Sequence, residues 1–523
     1  MTVERYSIRM LDRRRFLGSL AALAAAARAP LAAAARFGSY PFRLGVASGY
    51  PSPSSVVLWT RLATDPGRAD GGLDPEAHSV RWELARDEAM RDIVASGTAA
   101  ASPEWAHSVH VEAHGLEPDR WYWYRFAAGD AQSPVGRTRT APAPGAAAPR
   151  LRFAFASCQH YEQGFFGAWR HVVADAPDLV AFLGDYIYES SWGRDHVRQH
   201  NAPEPYALED YRLRHALYRG DADLQAAHAA CPWLLTWDDH EVDNDYADDR
   251  PEDGMEREAF LARRAAAYRA YFEHMPLPER MRPQGPDMRI YTEIGWGALA
   301  RFYLLDDRQY RSWHACPRPG RRGGSNTVDI EQCPRLFNPN RTMLGRAQER
   351  WLESALERSA ARWNLLAQQT PMAQFDQKPG AGRRAWTDGW DGYPEARRRL
   401  LGHIAARRIA NPVVLGGDVH CFNVNELKLD FDDAAAPAVA SEFVCTSITS
   451  QAWPQEKLDE FLPDNPHMKL TDSRFRGYVR GDLAPGLLRA DLRAMDSVLR
   501  RDAGCSTLAS FVVEDGRPGP QRA

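Results

Sequence analysis

The feature that most constrains the fold is a change of pattern at about residue 150. From there on, short apolar runs typical of buried strands alternate with longer segments of helical periodicity. The apolar runs are 151–156, 179–183, 233–237, 298–305, 363–368 and 412–415, and the helical segments are 256–272, 346–358 and 395–408. This alternation predicts an α/β domain over residues 151–450.

The residues on either side of this domain follow other patterns. Short β-prone runs at 55–60, 80–84 and 121–126 are separated by turn residues, which predicts a small fibronectin-like β-sandwich at 40–140. A Pro- and Ala-rich linker at 141–150 follows it. We expect a C-terminal extension at 451–523 that covers the active site, and a lid or insertion at 189–228.

The N-terminal residues 1–35 have the pattern of an export signal. The sequence DRRRFL at 12–17 fits the twin-arginine motif, and an Ala/Leu-rich run follows it. We therefore expect export of the folded protein by the twin-arginine (Tat) translocase to the periplasm or the medium. The alternative is an ordinary amphipathic or disordered N-terminus. No later apolar stretch approaches the roughly 20 residues of a membrane helix, so none is expected in the mature form.

Charge and cysteine content narrow the function further. The formal net charge is −4, and it becomes −8 when the six arginines and two acidic residues of 1–35 are left out. Such a surface gives no reason to expect a nucleic-acid partner. Seven cysteines in 523 residues do not form a disulfide framework. Cys316 and Cys333 flank a Pro/Gly/Arg-rich loop, and the sequence leaves open whether they form a disulfide or stay free thiols.

Four of the predicted strands end in polar residues, and this convergence indicates chemistry. An α/β fold brings strand ends to the edge of the sheet where ligands bind. Burying so many charges without a cation is costly, so the simplest explanation is a metal site. The four polar segments that follow the strands are SCQH at 157–160, GDYIYE at 184–189, DDHEVDND at 238–245 and GGDVH at 416–420.

These segments resemble the motif series of PhoD-type alkaline phosphatases and phosphodiesterases, a branch of the calcineurin-like metallophosphoesterases. Further similarity lies at 44–49, 58–61, 305–311 and 368–372, so the resemblance covers about 42–450 in family order. It implies a metallophosphoesterase-type β-sheet sandwich flanked by helices. It also implies an exported hydrolase that attacks phosphate mono- or diesters with a metal-activated water.

The resemblance also implies which side chains hold metal. Cys158, Tyr188, Asp239 and Asp418 replace residues usual in the wider superfamily, as they do in the PhoD branch. A thiolate and a phenolate suit Fe³⁺, whereas added carboxylates favour Ca²⁺, with Zn²⁺ or Mn²⁺ as the alternative filling. The expected iron ligands are Cys158, Asp185, Tyr188 and His420, and the expected calcium ligands are Asp185, Asp239 and Asp418, with Asp238 and Asn244 as further ligands.

By the same resemblance, two side chains act in catalysis. His240 binds the phosphate or protonates the leaving oxygen. Arg308 offers a planar fork to the non-bridging oxygens, and its alternative is a salt bridge with Asp306 or Asp307. Asn244 is expected to contact the substrate as well.

Three other functions stay open at this point. The same site serves a phospholipase D-like phosphodiesterase or one that acts on lipid or teichoic-acid-type polymers. A non-catalytic exported binding protein, with the β-sandwich as its functional part, needs no convergence of these residues. An exported oxidoreductase is unsupported, because the sequence lacks a Gly-rich dinucleotide turn and iron–sulfur cysteine spacing.

Overall fold

The structure is a computed structural model that describes residues 37–523, so the predicted signal at 1–35 lies outside the described residues. Its strands, numbered in chain order, are β1 Val46–Gly49, β2 Ser55–Arg61, β3 His78–Ala85, β4 Ile93–Ala101, β5 Ser108–His114, β6 Trp121–Ala128, β7 Ala131–Gln132, β8 Gly136–Arg139, β9 Leu151–Ala156, β10 Leu179–Phe182, β11 Trp233–Leu235, β12 Thr292–Trp296, β13 Ala300–Leu304, β14 Thr327–Asp329, β15 Trp363–Ala367, β16 Arg384–Trp386, β17 Pro412–Gly416, β18 Phe422–Lys428, β19 Ala438–Val444, β20 Met468–Asp472, β21 Gly477–Ala484, β22 Leu487–Met495, β23 Cys505–Glu514 and β24 Arg517–Arg522.

The helices are α1 Ala168–Ala174, α2 Leu208–Arg219, α3 Ala222–Ala230, α4 Arg257–His274, α5 Gly345–Glu357, α6 Pro394–Arg407 and α7 Gln455–Phe461. All six apolar runs predicted as strands and all three predicted helices after residue 150 are confirmed, with ends that move by at most two residues. The predicted α/β class is therefore confirmed.

Two large sheets form the centre of the molecule. The first sheet has the order β24-β23-β22-β21-β9-β10-β11-β1-β2-β5, and the second has the order β12-β13-β15-β17-β19-β18-β20. They share one hydrophobic core, in which Phe153 of the first sheet meets Phe302 of the second edge to face at 5.6 Å. Helices α5 and α6 contribute to another core with residues of the second sheet. The result is a sheet sandwich with helices on the outside, as the resemblance implied.

The predicted N-terminal β-sandwich is continuous with this centre. A third sheet, β4-β3-β6-β7 with β8 beside β6, shares a core with β1, β2 and β5. Those three strands are at the same time the end of the first sheet, because β1 runs parallel to β11 with Gly49 opposite Trp233. One layer of the sandwich thus extends the sheet that carries three of the four polar strand ends.

The predicted C-terminal extension also belongs to the first sheet. Strand β21 pairs antiparallel with β9, and β22 to β24 continue the sheet from there. The boundary expected at residue 450 therefore divides a single sheet. The sequence does not predict this pairing, because the residues of β9 do not indicate which chain segment pairs with its free edge.

About half of the segment expected to be a lid or insertion, 189–228, forms two packed helices. Helix α2 buries Arg214 and Arg219 beside Tyr211 and Tyr218, and α3 packs next to α1. Helix α2 was not predicted because buried arginines interrupt the apolar stripe by which an amphipathic helix is recognised in a sequence. The stretch before α2, which has no regular secondary structure, contributes to the wall of the main cavity.

Cys316 and Cys333 form a disulfide, which resolves the alternative that the sequence left open. Within residues 37–523, no helix combines the length and the apolar character needed to cross a membrane.

The join between β9 and β21 makes a testable prediction. A Cβ added at Gly481 would lie 2.3 Å from the Phe153 ring, whereas one at Gly486 would meet nothing within 4 Å. We expect Gly481→Ala to lower the free energy of unfolding by about 1–3 kcal/mol through overpacking. Denaturant unfolding measures this, with Gly486→Ala as the matched control. Equal effects of the two variants would contradict the packing described for this strand pair.

Candidate metal centre

The four polar loops meet at one end of the sandwich, although their strands belong to both sheets. Strands β9, β10 and β11 lie side by side in the first sheet, and β17 lies in the second. A parallel bridge between Ser157 and Ser447 joins the loop after β9 to the loop after β19. A Cβ on Gly417 would lie 2.4 Å from the Ser157 hydroxyl, so only glycine permits the β17 loop to come this close.

The backbone is strained where the donor side chains sit. Cys158, Asp185, Asp418 and His420 all have positive φ, at 60°, 58°, 69° and 57°. Left-handed conformations cost free energy for residues other than glycine and cluster at functional sites. The strain therefore marks these four positions as a site held in place by its surroundings.

A first group of donors centres on Tyr188. Its hydroxyl donates to Asp185 at 2.8 Å and lies 3.1 Å from Nε2 of His420. One ligand atom each of Cys158, Asp185 and His420 lies within 4.8 Å of the others. Ser450, which has no role in the sequence analysis, donates to the Tyr188 oxygen at 2.8 Å. Thiol, phenol, carboxylate and imidazole thus converge on one point.

A second group of donors consists of carboxylates. Single oxygens of Asp238, Asp239 and Asp418 lie within 4.8 Å of one another, and Asp185 makes a similar cluster with Asp239 and His240. Asp185 is therefore common to both groups. The structure brings together all six residues on which the sequence-based metal site depends.

The chemistry of these donors fits metal cations. Asp185, Asp238, Asp239 and Asp418 each have a buried oxygen without a hydrogen-bond partner among the described residues. Burial and then neighbouring carboxylates raise the pKa of Asp418 well above its ordinary value. Burial and then the charge of Asp185 also raise the pKa values of the Cys158 thiol and the Tyr188 phenol. A bound cation reverses this balance, because it stabilises the charged forms.

Arg308 lies behind the carboxylates and is fully buried. Its guanidinium donates to Asp238, to Asp388 at 2.5 Å and to Asp418 at 3.1 Å. It does not belong to the described side chains that line the main cavity. The alternative partners Asp306 and Asp307 are not its ion-pair partners in the described structure.

Asp388 is a site residue that the sequence analysis missed. It binds Arg308, Arg311 at 2.6 Å and His314 at 2.7 Å. It follows the short strand β16, which belongs to a small two-stranded sheet. Asp388 therefore does not lie in a motif after a strand of the two large sheets. The one signal in the sequence was an Asp directly after the β-prone pair Trp386-Thr387.

His240 faces the cavity beside these donors. Glu189 holds its Nδ1 at 2.7 Å, and the His240 ring lies 4.1 Å from the Tyr188 ring. Burial lowers the pKa of His240, but the carboxylates of Glu189, Asp185 and Asp239 outweigh burial and raise it well above its ordinary value. Asn244 lines the same cavity, and its amide nitrogen donates to Glu252 at 2.6 Å.

Glu241 connects two of the loops. Its carboxylate accepts backbone N–H bonds from Asp185 at 3.1 Å, Tyr186 at 2.6 Å and Asp238 at 2.8 Å. It does not point at the donor groups themselves. One buried carboxylate thus fixes the loop after β10 against the loop after β11.

The donors open into a cavity of about 820 Å³. Asp185, Asp239, His240, Asp418 and His420 form part of its lining. Such a volume suits a small organic ligand.

Comparisons with known proteins agree with this geometry. The family model for the PhoD-like phosphatase matches residues 153–492, and the model for the PhoD-like phosphatase N-terminal domain matches residues 25–142. Alkaline phosphatase D of Bacillus subtilis (strain 168) is 48% identical over 497 residues, which are 93% of this chain and 83% of that protein. A solved structure described as PhoD superposes with a TM-score of 0.88 at 47% identity, over 94% of this chain and 93% of that one.

The fold and the site together define a metal-dependent phosphoesterase. Such an enzyme hydrolyses phosphate ester bonds. The chain belongs to the PhoD-like phosphatase family.

The role of Glu241 can be tested directly. Glu241→Gln keeps the size of the side chain but places an amide N–H₂ against backbone N–H groups. We expect a loss of about 1–3 kcal/mol in the free energy of unfolding and a drop in bound metal, because the amide N–H₂ cannot accept and leaves a buried backbone N–H without a partner. Elemental analysis and denaturant unfolding measure both. The exposed Glu256→Gln is the control, and metal content equal to that control would argue against the role of Glu241.

Proposed function

We propose that the chain is an exported phosphodiesterase whose centre holds Fe³⁺ and Ca²⁺. The observation that carries the proposal is the convergence of Cys158, Tyr188, Asp185 and His420 beside carboxylate oxygens that lack hydrogen-bond partners. Thiolate and phenolate favour ferric iron, and the carboxylates of Asp239 and Asp418 favour calcium. Zn²⁺ or Mn²⁺ is the alternative filling.

Metals held by these side chains would supply Lewis acidity, to activate water and to offset charge on the phosphoryl oxygens. The protein's own side chains donate the proton and contact the metal or the substrate. Glu189 holds Nδ1 of His240, which leaves Nε2 to donate a proton to the departing alcohol. The Asn244 amide nitrogen is held by Glu252, so its oxygen stays available to a metal or the substrate.

We assign Arg308 an indirect role. Its nitrogens bind the carboxylates of Asp238, Asp388 and Asp418, so it orients those groups. This role replaces the substrate contact expected from the sequence.

The charge of the cavity favours diesters over monoesters. Ten carboxyl-bearing side chains but a single arginine, Arg194, line it. At alkaline pH a phosphate monoester carries two negative charges and a diester carries one. Even with cations at the centre, repulsion by this lining acts more strongly on the monoester.

Export rests on two features. The twin-arginine pattern at 12–17 is typical of a Tat export signal. The second feature is the disulfide Cys316–Cys333, because disulfides persist outside the cytoplasm.

We expect Arg13→Lys with Arg14→Lys to keep the protein in the cytoplasm, with Arg5→Lys as the control. Cell fractionation measures this, and normal export of the double variant would contradict the Tat route.

Tyr188 tests the identity of the metal. If it binds ferric iron, phenolate-to-iron charge transfer gives the protein visible absorption. We expect Tyr188→Phe to lose that band, while Tyr206→Phe, which alters a tyrosine of the cavity lining, keeps it. Visible spectra and elemental analysis measure the outcome. A colourless native protein with stoichiometric zinc or manganese would replace the iron assignment.

Substrate charge is tested with two nitrophenyl esters. We expect kcat/KM for bis(p-nitrophenyl) phosphate to exceed that for p-nitrophenyl phosphate by about tenfold, as one unit of charge repulsion allows. Steady-state kinetics of the metal-loaded protein at one alkaline pH measure the ratio. A higher kcat/KM for the monoester would overturn the diester preference.

A further inference from the structure

The cavity has two walls of different chemistry. Segments 189–206 and 239–253 form the acidic wall, which holds most of the carboxylates. Segments 371–391 and 423–425 form the amide–aromatic wall, whose lining has Asp391 as its single acid. The carboxylate of Asp391 already has partners within the protein: Arg397 donates to it at 2.6 Å and the Phe375 N–H donates to it at 2.8 Å. The amide–aromatic wall is therefore electrically neutral.

Three amide side chains on this wall have unused hydrogen-bonding atoms. Asn425 is 1% exposed, donates to Glu442 at 2.7 Å and has an Oδ1 without a partner in the described chain. The side chain of Gln377 is 8% exposed and makes no hydrogen bond to another described residue. Asn423 accepts from Thr471, and its amide nitrogen has no acceptor among the same residues. A buried acceptor without a partner, such as Oδ1 of Asn425, is uncommon, whereas the unpaired amide atoms of Gln377 and Asn423 are open to water in the cavity lining. A ligand in the cavity would pair with all three.

Aromatic rings stand beside these amides. Phe375, Trp386 and Trp390 all line this wall. Trp390 is fixed by its N–H, which donates to Gln368 at 2.9 Å, and Trp386 is only partly buried. Ring faces next to amides suit a neutral ring that bears hydroxyl groups or ring nitrogens. An acyl chain would leave the amides unsatisfied.

We propose that the amide–aromatic wall binds one alcohol of the phosphodiester, and that this alcohol carries a neutral hydrogen-bonding ring, as in a sugar or a nucleoside. The inference rests on the proposed function, because the phosphorus must lie at the metal centre, whose donors line the same cavity. Water adds to phosphorus, one P–O bond breaks, and the departing oxygen takes the proton. The products are a phosphomonoester and an alcohol, whichever of the two substituents occupies this wall.

The test compares four p-nitrophenyl phosphodiesters that differ in the other alcohol: methanol, glucose through its 6-hydroxyl, thymidine through its 5′-hydroxyl, and hexadecanol. We expect kcat/KM for the glucose or the thymidine ester to exceed that for the methyl ester by about tenfold. Preference for one of the two identifies a sugar or a nucleoside as the source of the ring. A hexadecyl ester that is hydrolysed best, or equal rates for methyl and ring esters, would overturn the inference.

Variants test whether the preference for ring esters comes from the amide–aromatic wall. Trp386→Leu and Gln377→Leu should each reduce the ratio of ring-ester to methyl-ester kcat/KM by about tenfold. Trp82→Leu, a partly buried tryptophan of β3 outside the cavity, should leave the ratio unchanged. A ratio unaffected by both wall variants would overturn the inference. Failure to hydrolyse even the methyl ester would instead reject the diesterase proposal.

Discussion

The structure depends on how buried negative charge is held at one end of the sandwich. Asp185, Asp238 and Asp239 are buried and lie close together, and Asp418 lies partly buried beside them. Isolated carboxylates are too costly to bury in this way, so they need cations and fixed dipoles around them. Arg308 supplies one positive charge from behind, and metals bound by these carboxylates would supply the rest.

Holding these charges requires that both sheets end at the same place. The loops after β9, β10 and β11 come from the first sheet, and the loop after β17 comes from the second. The shared core that includes Phe153 and Phe302 sets the distance between the sheets, and the close approach of Gly417 to Ser157 joins the loops. Glu241 then fixes two of the loops through backbone N–H groups. Packing far from the site thus decides whether the donors meet.

The two walls divide the work of the site. In the proposed function the acidic wall selects against highly charged substrates, and the amide–aromatic wall offers hydrogen bonds and ring faces. They come from different parts of the chain, 189–206 and 239–253 for the first and 371–391 and 423–425 for the second. Substrate preference can therefore change on the neutral wall while the metal centre stays the same.

The sequence by itself determined the elements and the donors. Apolar runs and polar strand ends identified β9, β10, β11 and β17 and the residues that follow them, because burial and metal chemistry leave local patterns. Tertiary structure alone decided which sheet each strand joins, that β21 covers the edge of β9, and that Arg308 binds Asp388 rather than its neighbours. These features are contacts between residues distant in the chain, which local sequence patterns do not predict. Likewise, an arginine such as Arg214 is expected at the surface from its residue type, and only the fold shows that it is buried.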